Sequence, residues 1–234
     1  MTIRNSYSNG VMSPTPRVSI NPLIEFVDAS NCKKVSIVRK QKHPSTFVVA
    51  PYGTARAALK RYVKTDFNKT CIYDAISRLQ SRDNSTSWKS SDTANSIHAL
   101  KRFIDSNFPS VYGKIRCSFP KPEFKNCFIG EVDVTVAPDL VLRWEVENVS
   151  YLGAVKFRLS QSSINNSSGF NAAAILAHYL RTSVATHDEI VDCTHCLFVD
   201  VMSDRIYTAP SDITPLLKVL EVVCEEYGQL WRAA

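Results

Sequence analysis

Near Tyr112 the spacing of apolar residues in this 234-residue chain changes from the helical repeat of 3.6 to the strand repeat of two. One kind of element cannot satisfy both patterns, so helices must pack against a sheet. Upstream, Pro22 opens a short apolar segment, PLIEFV, that reads as helix. Ser30 or Asn31 caps the next helix. There Val35 and Val38 face inward, Lys33, Lys34, Arg39, Lys40 and Lys42 face water, and Pro44 ends the run. Gly53 or Thr54 starts a third helix, TARAALKRYVK. Its Ala57, Ala58, Tyr62 and Val63 can pack while Arg56, Lys60, Arg61 and Lys64 stay solvated. Residues 70–81 and 92–107 supply two more. The second of these carries Ile97, Leu100, Phe103 and Ile104 on one stripe.

Downstream, KIRCSF and FIGEVDVTV alternate. Pro138–Asp139 leads LVLRWEV, and a bend from Glu147 to Ser150 leads into YLGAVKFRLS. These read as consecutive antiparallel strands. A Ser/Asn-rich loop over 160–169 precedes a helix, FNAAAILAHYLRTSV. CLFVDV and RIYTAP then flank a turn at Met202–Arg205 as a hairpin, and an amphipathic helix runs from about Ile213 to Trp231. The expected fold class is α+β, or mixed α/β. Residues 1–20 read as a disordered lead-in, 21–110 as a basic helical region and 111–234 as an α/β domain.

The change of period coincides with a change of charge. Residues 1–122 carry 20 Lys/Arg against 7 Asp/Glu, a balance of +13; residues 123–234 carry 8 against 15, a balance of −7. An asymmetry of this size points to a polyanionic partner, DNA or RNA, for the basic half. Lys60, Arg61, Lys64, Lys101 and Arg102 are its candidate phosphate-binding residues. Tyr52, Tyr62, Tyr73 and Trp88 lie among these cations and could stack on bases, although aromatics at helical spacing are more often core.

No run approaches the roughly 18–20 apolar residues of a membrane span. The N-terminal segment lacks the apolar core of a signal peptide, and the seven cysteines are odd in number and scattered. A cytoplasmic protein with free thiols and no membrane partner is expected. The absence of a Gly-rich phosphate loop excludes Walker A and dinucleotide-binding chemistry, and no G-x-S-x-G elbow is present. Cys193–Thr194–His195–Cys196 is a lone CxxC entering a strand. Buried apolar thiols account for it better than a zinc or redox site does.

Metal-dependent phosphodiester cleavage uses carboxylates to hold Mg²⁺ and a lysine near the developing charge. Adjacent strands supply both, because residues i and i+2 share a face. Here Asp139 precedes one strand and Lys156 sits in the next. In element order and residue placement this stretch, roughly 110–210, resembles the core of the PD-(D/E)XK nuclease superfamily. The resemblance implies a restriction-endonuclease-like sheet flanked by helices, with Asp139 as metal-binding acid and Lys156 as catalytic lysine. It also implies Mg²⁺ as cofactor and a nucleic-acid substrate, in a family that often serves mobile elements or phage defence in bacteria. The acid that family carries two residues before its lysine is Ala154 here. Glu131 and Asp133, on one face of the preceding strand, are the first substitutes as metal ligands; Glu145, Glu147 and Asp200 come after them. The chain is also similar to bacterial proteins that share a PDL…GAIK-like strand pair and a Trp-containing final helix, a likeness that brings no function. Two further readings follow: a catalytically inactive nuclease-like module that binds nucleic acid or a partner protein, and a regulatory subunit that docks a protein through the Trp231-bearing helix.

Overall fold

The computed structural model describes residues 15–44, 51–106, 108 and 115–234. They form β1 (Arg17–Ser19), α1 (Ile20–Val27), α2 (Asn31–Lys42), α3 (Gly53–Lys64), α4 (Thr70–Gln80) and α5 (Ser87–Ile104). There follow β2 (Asn126–Ile129), β3 (Val132–Thr135), β4 (Leu140–Val146), β5 (Val149–Arg158), α6 (Asn166–Ser183), β6 (Glu189–Asp200), β7 (Arg205–Thr208) and α7 (Thr214–Ala233). The class is α+β. No helix among the described residues is long and apolar enough to cross a membrane.

A four-stranded mixed sheet, β4-β5-β6-β7, divides two cores. β4 and β5 form a hairpin whose two-residue turn, Glu147–Asn148, has φ of 51° and 64°, the left-handed pair that closes twisted antiparallel strands. β5 then pairs with β6 in parallel through the crossover helix α6, and β6 returns antiparallel to β7. Alternation assigns the faces. Leu140, Leu142, Trp144, Val155, Phe157, Leu197 and Val199 pack with α3, α4 and α5 in one core. Val141, Leu152, Ala154, Cys196 and Phe198 pack with α6 in the other, which α1, α7 and a small sheet ordered β1-β3-β2 complete. The Ala172–Ala174 run lets α6 lie against several elements at once, and its buried residues extend around most of its circumference.

Several expectations are corrected. Residues 17–20 are not lead-in: Arg17–Ser19 pairs in parallel with Asp133–Thr135, and Ile20 begins α1. α1 and α2 join the core of the C-terminal half, so the basic helical region is not one packing unit. Lys34 reaches Glu226 on α7 at 2.7 Å, and Lys42 donates to the Trp231 carbonyl. Trp231 itself is buried beside Tyr227, so the final helix does not present it to a partner. α5 starts at Ser87 rather than near 92, because the Thr86 hydroxyl caps it by accepting from the Lys89 N–H. Of the expected KIRCSF strand, the described residues 115–119 form one isolated bridge, Ser118 with Arg143. The remaining lead-in, residues 1–14, and the division at 110–111 lie outside the described residues.

Candidate functional site

The end of the β4–β5 hairpin nearest α3 brings Asp139 and Lys156 together. Leu140 pairs with Val155, so Asp139 before it and Lys156 after it fall directly across from each other, and alternation along β5 points Lys156 to the α6 side. β5 runs on past the start of β4, where Pro138 has no N–H to continue the ladder. The Asp139 carboxylate takes over: its Oδ2 accepts from the Phe157 N–H at 2.9 Å. The neighbouring Phe157 carbonyl accepts from Arg56 Nη1 at 2.9 Å, and the same nitrogen donates to Asp139 Oδ2 at 2.6 Å. The Asp139 side chain is only 5% exposed. Arg56 thus arrives from the first turns of α3 to close the open edge of β5.

Lys156 is buried on the same strand and donates to the Ala137 carbonyl at 2.9 Å. Ala137 holds φ of 41°, a left-handed conformation unusual for alanine. Burial pushes the Lys156 amine down to about 8; the Asp139 charge opposes this and Arg56 reinforces it.

Asp139 also lines a cleft of about 410 Å³ between α3 and the segment before β2. Four lysines line it: Lys60 and Lys64 on α3, and Lys121 and Lys125 on the facing segment. The Lys125 carbonyl accepts from both Val136 and Ala137, tying that segment to the strand end. None of the four lysines is ion-paired with a carboxylate among the described residues. Asp139 is the single acid lining the cleft among the described residues, and Arg56 already neutralises it.

Of the expected phosphate-binding residues, Lys60 and Lys64 line this cleft. Arg61, Lys101 and Arg102 are exposed but do not line it. Arg56, Lys121 and Lys125 were not among those expected. The signal for Arg56 was present, since Arg56, Lys60 and Lys64 recur every four residues along one helix face.

The candidate metal ligands do not gather. Glu131 is exposed and paired with Arg232 at 3.0 Å; Asp133 accepts from Asn126 at 2.6 Å in the small sheet. Neither lines the cleft. Glu145 and Glu147 lie exposed at the other end of the hairpin. Asp200 is fully buried against Arg158, its cross-strand partner. Mg²⁺ requires several oxygen ligands in near-octahedral geometry. Here one carboxylate is engaged by a guanidinium and a backbone N–H, and Ala154 stands where the second would be. No group of three or more His, Cys, Asp or Glu among the described residues could hold a metal ion. These residues do not fit the ion that the nuclease resemblance implies.

Both cysteines of the CxxC are buried. Cys196 is buried with its thiol pushed well up by burial, and Arg181 donates to Cys193 Sγ at 3.1 Å. His195 pairs with Asp192 at 2.7 Å and rests on the Trp144 ring.

No protein-family model matches the chain, and no curated protein matches it.

Proposed function

We propose that this protein is a nucleic-acid-binding module on a nuclease-like core, and that it binds without metal-dependent cleavage. The observation carrying this reading is the cleft: four lysines with no carboxylate partner among the described residues line it beside an aspartate paired with Arg56. A cavity of that charge attracts phosphates, and each phosphate bound releases counterions. The element order β4-β5-α6-β6, with Asp139 across from Lys156, supports the PD-(D/E)XK likeness. The guanidinium on Asp139 and the alanine at 154 support binding over cutting.

Arg56 and Lys156 would add to the site electrostatically. Arg56 keeps Asp139 from repelling a phosphate, and its own side chain is about one-third exposed. The test is a titration of labelled oligonucleotides in EDTA at rising KCl. Binding should persist in EDTA and weaken steeply with salt. Binding that needs Mg²⁺, or that ignores salt, would count against the proposal.

A further inference from the structure

We infer that the cleft selects single-stranded over double-stranded nucleic acid, with Phe119 as the surface on which an unstacked base lies. This rests on the nucleic-acid reading of the cleft and deepens it. Three observations converge. First, Lys60 and Lys64 stand at i and i+4 on α3, a row about 6 Å long at 1.5 Å per residue, while Arg56 one turn earlier is engaged by Asp139. A backbone laid along that row meets cations from one side. Second, the opposite wall is apolar as well as basic: Phe119, Pro120 and Pro122 line it together with Lys121 and Lys125. Third, Lys64 Nζ lies 5.5 Å from the Phe119 ring centroid, so the row of cations and the aromatic ring meet inside one cavity.

Phe119 is partly buried against the α3–α5 core and still lines the cleft. A duplex keeps its bases stacked and offers no ring face to Phe119, whereas a single strand offers one at every nucleotide. The volume agrees. About 410 Å³ lies within the size of small-molecule pockets, roughly 300–1,000 Å³, so it admits a single nucleotide rather than a duplex. Lysines on both walls leave either strand direction open.

The experiment compares a fluorescein-labelled single strand with a hairpin duplex of equal charge, in EDTA, on the full chain and on three variants. Phe119→Leu keeps the apolar bulk and removes the ring, Phe119→Tyr keeps the ring, and Lys60→Ala with Lys64→Ala removes the cations. The expected result is a single strand bound more tightly than the duplex. Phe119→Leu should weaken the single strand at least about fivefold and leave the duplex within about twofold, with Phe119→Tyr close to the parent. The lysine variant should weaken both. Equal binding of the two forms, with Phe119→Leu indistinguishable from the parent, overturns the inference and leaves the polyanion reading standing. Failure of both forms to bind at low salt overturns both.

Discussion

Arg56 Nη1 lies 2.6 Å from Asp139 Oδ2, and it is held there by a second bond to the Phe157 carbonyl. A carboxylate oxygen and a carbonyl oxygen are the ligands a hard cation would seek. In this chain they hold a guanidinium instead. Breaking that arrangement strands a buried charge. Asp139→Ala should cost about 2–3 kcal/mol, below the usual range for fully buried pairs because Arg56 is partly exposed. In a double-mutant cycle with Arg56→Met, urea unfolding should give a coupling on the order of 2 kcal/mol. Additive effects would mean that the two side chains do not depend on each other.

Lys156 gives stability a pH dependence of defined sign. Its amine titrates near 8 in the folded chain against an ordinary value of 10.5. Between those values the unfolded chain holds a proton the folded chain has lost, so stability rises with pH through that window. Below about 8 both states are protonated and the cost of the buried cation is fully present. The rise should be on the order of 3 kcal/mol, and Lys156→Met should flatten it. A parent and a Lys156→Met variant with parallel profiles between pH 7.5 and 10 would show that Lys156 keeps its ordinary basicity.

Gly153 sits where the β5–β6 register shifts between Leu152 and Ala154. A Cβ there would lie 2.7 Å from the His195 carbonyl oxygen and 2.8 Å from the His195 Cβ. Backbone cannot yield as a flexible side chain can, so Gly153→Ala should destabilise by about 1–3 kcal/mol. A melting temperature equal to the parent's would mean that β6 moves away at little cost.

The donor set around Asp139 also makes a prediction about metals. Millimolar Mg²⁺ or Mn²⁺ should leave the melting temperature where EDTA leaves it, because an ion that does not bind the folded chain cannot stabilise it. The protein should not cut single- or double-stranded DNA or RNA under the same conditions. A metal-dependent upward shift, abolished in Asp139→Asn, would restore the metal-centre reading.

Much of this arrangement was legible in the residues. The alternation of LVLRWEV and YLGAVKFRLS revealed the hairpin, and a lysine inside an apolar strand after Pro138–Asp139 marked the pair at its end. What escaped the sequence is set by distant partners. β1 is three residues, too short to show a period, and is held by parallel pairing with β3. Ser87, Ser90 and Ser91 are weak helix formers that Thr86 draws into α5 by capping. Arg56 read as a solvated helix residue because nothing local shows that α3 ends its first turns against the open edge of β5. Glu131 and Asp133 looked like ligands because they share a strand face. That face belongs to the small sheet, and its neighbours are Asn126 and Arg232 rather than Asp139.

The central claim is that the lysine cleft binds the nucleic-acid backbone. It is tested most directly by replacing Lys60, Lys64, Lys121 and Lys125 together with glutamine and measuring single-strand affinity across a KCl series. If the variant keeps the parent's circular dichroism and melting temperature, affinity should fall at every salt concentration. The slope of log K against log[KCl] should become shallower by about 2 to 3, at about 0.7 per lysine removed. A folded variant with the parent's affinity and slope would contradict the account.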